Sequence, residues 1–142
     1  MQRPTGVTIL AILALIGGVF GIIVGLGALF GGALFGGMAA SAGADASTAA
    51  GIGGLFFIIG ILTLLGAVLE LAFFFGAWTA KAWGWILGVI AALWSIGVGV
   101  IGAVLGGDIV AGLMSNLISF VIAGVILYYL NTPAVKQYFG RA

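Results

Sequence analysis

Long apolar runs separated by short polar segments dominate this chain. Four runs are long enough to cross a membrane, and they cover residues 7–30, 52–78, 83–105 and 109–130. A helix of about 20 apolar residues spans the hydrocarbon core of a bilayer. The runs lack the alternation of apolar and polar residues that a lipid-facing β-strand requires. The pattern therefore predicts four transmembrane α-helices, because a helix satisfies its own backbone hydrogen bonds in lipid.

The segments between the runs differ in length and character. Residues 31–51 contain mainly Gly, Ala, Ser and Thr, and we predict a long loop there, on the outer side of the membrane. Residues 79–82 and 106–108 are short enough for tight turns, so the spans that they join should be antiparallel neighbours. A cleaved signal peptide is the alternative interpretation of the first run. That run is longer than a signal-peptide core of about 7–15 residues, so we interpret it as a span.

The C-terminal segment predicts a short helix of a different kind, over residues 133–139. Thr132 can act as its N-cap, and Pro133 suits the first helical position. Three larger apolar side chains fall on one face of this helix: Val135, Tyr138 and Phe139. We expect that face to lie on the cytoplasmic membrane surface. The predicted fold is all-α, a single four-helix transmembrane domain over residues 1–142 with a short C-terminal interfacial helix.

Composition agrees with lipid as the solvent and excludes several kinds of chemistry. Hydrophobic residues make up 64% of the chain and charged residues 5%, against about 25% charged residues in soluble domains. The chain has no Cys and no His, which rules out disulfides, a Ser-His-Asp triad and a typical zinc site within one chain. Its three carboxylates, Asp45, Glu70 and Asp108, are far apart in the sequence. We therefore expect no enzyme, no metal and no cofactor.

The basic residues predict the orientation in the membrane. Arg3, Lys81, Lys136 and Arg141 all fall on the same side of the four predicted spans. The positive-inside rule makes that side cytoplasmic, and four scattered basic residues make no nucleic-acid patch. Interfacial anchors are predicted on the same side: Trp78, Lys81, Trp83, Trp85, Tyr128 and Tyr129. We expect a multi-pass protein of the cell membrane with both termini in the cytoplasm.

Small residues recur at spacings of about four within the spans. Helices in lipid associate through close backbone contact, and such stripes mark where that contact occurs. The helix-packing candidates are Gly17, Gly21, Gly25, Gly99, Ala103, Ser115 and Ala123. Most should pack the helices of one monomer against each other. Because a four-helix bundle does not need so many, the stripe of the first span is the candidate for contact with a second copy or another membrane subunit.

Glu70 is the only charged residue inside a predicted span. It lies about 13 Å from the cytoplasmic end of the second span, level with Gly17 of the first span. The polar residues at this level on the other two spans are Trp94, Ser95 and Ser119. One hypothesis makes Glu70 a structural clamp that hydrogen-bonds these side chains. The other makes it a proton or cation carrier, since intramembrane carboxyl groups often mark ion pathways. Few polar residues continue toward either face, which favours the clamp.

Two regions of the chain resemble a family of membrane proteins. The opening Arg-Pro-Thr-Gly-Val-Thr-Ile-Leu at residues 3–10 and the closing Leu-Tyr-Tyr-Leu-Asn-Thr-Pro at residues 127–133 are similar to uncharacterised small four-span membrane proteins of archaea and bacteria. The turn around Lys81, with Gly-Ala-Trp before it and Trp-Gly-Trp after it, resembles the same proteins. The resemblance implies four spans and residence in a membrane, and it implies no activity.

The sequence thus predicts a non-catalytic integral membrane protein. Lipid and other membrane subunits, including further copies of the chain, are the expected partners. The favoured function is a self-associating structural or accessory subunit of a membrane assembly. The alternative is a small proton- or ion-coupled transporter or channel that works through Glu70.

Overall fold

Six α-helices account for most of residues 2–141, the part of the chain that the computed structural model describes. They are α1 (Thr5–Ser41), α2 (Ala46–Trp78), α3 (Ala82–Leu105), α4 (Ile109–Ser115), α5 (Leu117–Leu130) and α6 (Pro133–Tyr138). No strand occurs in this range, so the all-α prediction is confirmed. Helices α1, α2 and α3 are each long and apolar enough to cross a membrane. Helices α4 and α5 make a fourth candidate if the pair counts as one bent span.

The long loop predicted over residues 31–51 is wrong. Helix α1 continues to Ser41 and α2 begins at Ala46, which leaves only residues 42–45 between them. Glycine disfavours an isolated helix by about 1 kcal/mol relative to alanine, but close packing between helices offsets this in lipid.

Asp45 stands directly before α2, where Ser47 and Thr48 donate hydrogen bonds to its carboxylate. These bonds lower the pKa of Asp45 below its usual range, as expected for an N-terminal cap.

The described chain divides into two compact units, one of which is a helical hairpin over residues 18–68. Glycine lets the two arms of the hairpin approach closely. A Cβ atom added to Gly21 would lie 2.8 Å from the Cβ of Ala67, and one added to Gly32 would lie 2.8 Å from the carbonyl oxygen of Gly53. Both distances are shorter than a van der Waals contact. The arms therefore pack backbone against backbone, as small-residue stripes in lipid predict.

This packing corrects the role assigned to the stripe of the first span. A Cβ on Gly25 would lie 2.7 Å from Cγ of Leu64, and one on Gly17 would collide with the carboxyl group of Glu70. With Gly21 against Ala67, every glycine of the stripe is covered by α2 of the same chain. The stripe is therefore not available to a second copy.

The other unit comprises the chain up to Gly17 and from Leu69 onwards. Its buried core lies near the two chain termini and consists of Val7, Ala11, Phe73, Ala77, Leu130, Val135, Tyr138 and Phe139. Three of these residues form the apolar face of the C-terminal segment that we predicted to lie on the membrane surface. That face is instead buried within the protein. Tyr138 is held there by its hydroxyl group, which donates a hydrogen bond of 2.8 Å to the carbonyl oxygen of Ala77.

Polar side chains close the same end of this unit. Arg3 donates to the hydroxyl of Tyr138 (3.1 Å) and to the carbonyl oxygen of Trp78 (2.8 Å). Its guanidinium group also lies 4.2 Å from the ring centre of Trp78, within the range of a cation–π contact. The indole of Trp85 donates to the carbonyl oxygen of Leu130 (2.7 Å). These bonds tie the N-terminal segment, α2, α3 and the C-terminal region together.

The predicted interfacial anchors fall into two groups. Trp78, Lys81, Trp83 and Tyr128 are exposed, as residues at a membrane interface would be. Trp85 and Tyr129 are partly buried, and Tyr129 packs so closely on Gly6 that a side chain there would collide with its ring. The exposed residues remain available to a membrane interface, whereas Trp85 and Tyr129 also pack inside the protein.

The fourth run of apolar residues is not one continuous helix. It breaks between α4 and α5, which are inclined by 56° to each other. The side chains of Ser115 and Asn116 both donate to the carbonyl oxygen of Gly112, each at 2.9 Å. Side chains that compete for backbone carbonyls bend helices in this way, and no proline is involved.

Helices α4 and α5 pack against α3 through the predicted small residues. A Cβ on Gly99 would lie 2.6 Å from the ring of Phe120, and Ala103 is buried against Gly112. Ala123 is also buried. Ser115 differs from this group, because it is exposed and bonds within its own helix rather than packing against another. Its assignment as a packing residue is therefore wrong.

The hairpin packing predicts a large difference between two glycines of α1. Gly21→Ile should destabilise the protein by about 1–3 kcal/mol, because the new side chain overlaps Ala67. Gly27→Ile is the matched control, since a Cβ atom there meets nothing within 4 Å. Thermal unfolding in mild detergent measures both. Equal stability of the two variants would contradict the packing described for the hairpin.

Candidate functional site

A cavity of about 340 Å³ lies within the unit that contains both chain termini. Helices α1, α2, α3 and α5 all contribute to its wall. Three polar side chains line it, Glu70 from α2, Ser95 from α3 and Ser119 from α5. Together with Gly17 from α1, they are four of the five residues that the sequence placed at one level in the membrane. The structure therefore brings them to a common space, although they are far apart in the chain.

Small residues create the space. Helix α3 lines the cavity with Gly88, Ala91 and Ala92, and α1 lines it with Ala14 and Gly17. Where small residues meet a neighbouring helix closely, they close the gap between the helices, as in the hairpin. Gly17 and Gly88 have close neighbours here too, since a Cβ atom added to either would collide with Glu70 or with the ring of Phe73. The methyl groups of Ala14, Ala91 and Ala92 are too small to fill the remaining space.

Glu70 enters the cavity wall beside Gly17. A Cβ atom added to Gly17 would collide with Oε2 of Glu70, so any other residue at this position would displace the carboxyl group. Glycine is thus required at residue 17 for the carboxyl group to keep its place. The sequence placed Gly17 level with Glu70 but assigned it to a packing stripe and did not predict their contact.

The clamp predicted for Glu70 is not formed. Among residues 2–141 its carboxyl group accepts no hydrogen bond and makes no ion pair, so it is bonded neither to Trp94 nor to Ser95 or Ser119. The carboxyl group rests against α1, whereas the predicted partners are on α3 and α5. Trp94 is partly buried on α3 and does not line the cavity.

The buried core closes the cavity on the side of the chain termini. Phe73 belongs to both the cavity wall and the core. One turn further along α2 stands Ala77, and Val7 and Leu130 close the same end on α1 and α5. All of these side chains are apolar and buried. The described core residues between Glu70 and that end, Phe73 and Ala77, therefore offer no polar side chain.

Sequence reasoning missed the apolar part of the wall. The larger apolar residues that line the cavity are Leu10, Leu13, Phe73, Ile122 and Ile126. A signal for them was present in the helical spacing. Ile122 and Ile126 follow Ser119 by three and seven residues, and Phe73 follows Glu70 by three. Residues at these spacings share a helix face, so each polar candidate defined its own row of wall residues.

The chemistry available in the cavity is limited and specific. One carboxyl group can bind a proton or a positive charge, and two hydroxyl groups can donate or accept hydrogen bonds. In the described part of the chain no three His, Cys, Asp or Glu side chains come together as metal ligands. The arrangement offers no nucleophile with an adjacent base. What it offers is a single negative charge within an apolar wall.

The contact between Gly17 and Glu70 predicts that the two residues are coupled. Relative to Gly97→Ala, Gly17→Ala should destabilise the protein by about 0.5–1 kcal/mol, because the methyl group displaces the carboxyl group at the end of a flexible side chain. In a Glu70→Ala background, Gly17→Ala should have the same effect as Gly97→Ala. Thermal unfolding of the single and double variants measures the coupling. Gly97→Ala controls for helix propensity, since a Cβ atom there has no neighbour within 4 Å. Additive effects would show that the two residues do not touch.

Comparison with known proteins adds no further assignment to these residues. No family model matches the chain, and neither a curated protein nor a solved structure is significantly similar to it. The function is therefore inferred from the geometry of the site.

Proposed function

We propose that the chain is a small, non-catalytic integral membrane protein with four spans, the fourth being the bent pair α4 and α5. In this proposal it is a proton- or cation-coupled transporter whose working group is Glu70. The observation that carries the proposal is the carboxyl group of Glu70, which lines a cavity without any partner in the described chain.

The energy of a buried carboxyl group supports this function over a structural one. An acidic residue at the centre of a membrane helix costs about 3 kcal/mol on insertion scales. A structural carboxyl group would recover part of that free energy through hydrogen bonds, and Glu70 makes none to the described residues. A group that must accept a proton or a cation needs to be free of such bonds. The lack of partners therefore has a reason in transport and none in packing.

The break in the fourth span gives further support. Ser119 stands one turn after Asn116, where the α4–α5 pair bends, and it lines the cavity with Glu70. Many transporters have discontinuous helices beside a binding site near the middle of the membrane. Closure of the cavity by the core on one side corresponds to a state that is closed toward that side. Opening would require the core around Leu130 to separate.

Replacing Glu70 with Gln tests the proposal. The amide keeps the shape of the side chain but does not ionise, so it cannot take up and release a proton as the carboxyl group does. In proteoliposomes with an internal pH indicator, the wild type should show uptake of protons down an imposed gradient, and Glu70→Gln should abolish it while the protein remains folded. Asp108→Asn is the matched control, because this exposed carboxylate caps α4 by accepting a bond from Ala111. It should leave uptake unchanged.

A self-associating structural or accessory subunit is the second candidate. Helix α1 has 37 residues, about 55 Å, whereas the hydrocarbon core is about 30 Å thick. Its later turns expose large apolar side chains, including Phe30, Leu34 and Met38, and a second copy or another subunit could cover them. Absence of any proton uptake by the wild type, with Glu70→Gln equally stable, would favour this candidate over transport.

The proposal includes an orientation with both termini in the cytoplasm. Arg3 stacks on Trp78, and the charged groups of Lys136 and Arg141 lie 6.0 Å and 5.2 Å from the ring of Trp85. Three of the four basic residues therefore sit with two tryptophans at one end of this unit. Basic residues and interfacial tryptophans gathered at one end support the positive-inside assignment.

Single cysteines test the orientation on a clean background, because the chain has no native cysteine. Ser47→Cys, exposed in the first turn of α2, should react with a membrane-impermeant maleimide in intact cells. Gln137→Cys, exposed on α6, should react only after the cells are opened. The reverse pattern of labelling would mean that the orientation is inverted.

A further inference from the structure

The size of the cavity points to a ligand larger than a bare ion. An apolar cavity of about 150 Å³ in another protein is large enough for benzene. The cavity around Glu70 is about 340 Å³, roughly twice that volume, and it is not sealed, since Leu13 and Ile122 in its wall are exposed. A proton or a metal ion would leave most of this space to be filled by something else. An aromatic ring with a small charged head would occupy it.

The wall of the cavity is poorly suited to a divalent inorganic cation. Ca²⁺ is held by six to eight oxygen ligands, and Mg²⁺ demands a near-ideal octahedron. The wall supplies one carboxyl group and two hydroxyl groups, from Glu70, Ser95 and Ser119. Every other lining side chain is apolar or absent, as at Leu13 and Gly88. An ion in this space would lose much of its hydration without replacement ligands.

The same wall fits an organic cation. An unpaired carboxylate attracts a positive charge strongly where the surroundings are apolar, because the effective dielectric constant there is low. An apolar body would contact Leu13, Ile122 and Ile126, which line the cavity with their hydrocarbon side chains. The ring of Phe73 is also in the wall, and aromatic faces attract alkylammonium groups. Charge and surface are thus both complementary to one class of ligand.

We infer that the cavity binds a monovalent organic cation, an ammonium group attached to an apolar body of about one aromatic ring. This inference rests on the proposed role of Glu70 as the binding group, and it identifies the class of molecule that the site takes. Protons compete with the ligand, since the carboxyl group must be ionised to attract it. Uptake of a proton and release of the cation would then be linked at the same atom.

Benzyltrimethylammonium is a suitable probe, and neopentylbenzene is its uncharged counterpart of the same shape. Binding to the purified full-length protein in lipid nanodiscs is measured by equilibrium dialysis, with empty nanodiscs as the background. We expect saturable binding of the cation that weakens as the pH falls. The uncharged counterpart should show no saturable binding. Glu70→Gln should weaken binding of the cation by about tenfold or more, because the charge of the carboxylate is lost.

Filling the cavity with a larger side chain is a second, independent test of the binding site. Ala91→Phe places a ring into the space from α3 and should abolish saturable binding of the cation. Ala91→Leu is the smaller alternative if the Phe variant does not fold. Ile90→Phe is the matched control, because residue 90 is exposed on the same helix and does not line the cavity. It should bind the probe as the wild type does.

The outcomes separate this inference from the proposed function. Proton uptake that depends on Glu70, without saturable binding of the ammonium probe, overturns the ligand class and leaves the proposed function standing. Equal binding of neopentylbenzene also overturns it, because charge would then not be recognised. Binding that survives in both Glu70→Gln and Ala91→Phe overturns the site. If neither protons nor the probe depend on Glu70, the proposed function and this inference fail together.

Discussion

Close contact between helix backbones is the constraint on which the rest of this structure depends. In lipid the hydrophobic effect gives helices no reason to associate, so packing must come from van der Waals contact between surfaces that fit. Gly21 and Gly32 allow that fit in the hairpin, where even a Cβ atom would be too large. The same small residues have the opposite effect where no surface approaches them, as at Ala91 on α3. There they leave a cavity. One feature of the sequence thus produces both close helix contacts and a cavity.

Side-chain hydrogen bonds act where glycine does not, at the end of the unit that holds both termini. Arg3, Tyr138 and the carbonyl groups of Ala77 and Trp78 form a connected set of bonds between segments far apart in the chain. Next to it, the core that includes Phe139 is fully buried. A charged side chain and a tyrosine hydroxyl can reach backbone carbonyls at helix ends, where these groups lack helical partners. The end of the unit is therefore fixed by directional bonds between its segments.

The parts of the fold that were predictable are those governed by a single helix. Hydrophobic run lengths gave the all-helical class, and the position of Glu70 relative to Ser95 and Ser119 followed from counting residues along each run.

The rest of the fold depended on contacts between helices. Residues 31–51 were expected to be a loop from their Gly and Ala content, yet Gly32 packs on Gly53 and keeps that region helical. The bend at Asn116 depends on hydrogen bonds from the side chains of Ser115 and Asn116 to the carbonyl oxygen of Gly112. Residue type alone does not decide whether such side chains bond to the backbone. The contact of Gly17 with Glu70 required the register between α1 and α2, which no single-helix pattern contains.

The three carboxylates of the chain show why Glu70 differs from an ordinary structural residue. Asp45 and Asp108 each stand before a helix, and each accepts a hydrogen bond from the first turn that follows. Both are exposed, so their negative charges remain hydrated while they cap α2 and α4. Glu70 has neither advantage, because it is inside a helix and has no partner in the described chain. A leucine or glutamine would meet the packing needs of that position with less electrostatic cost. The carboxyl group is explained by its charge, and in a cavity lined by apolar side chains that charge has its use in binding.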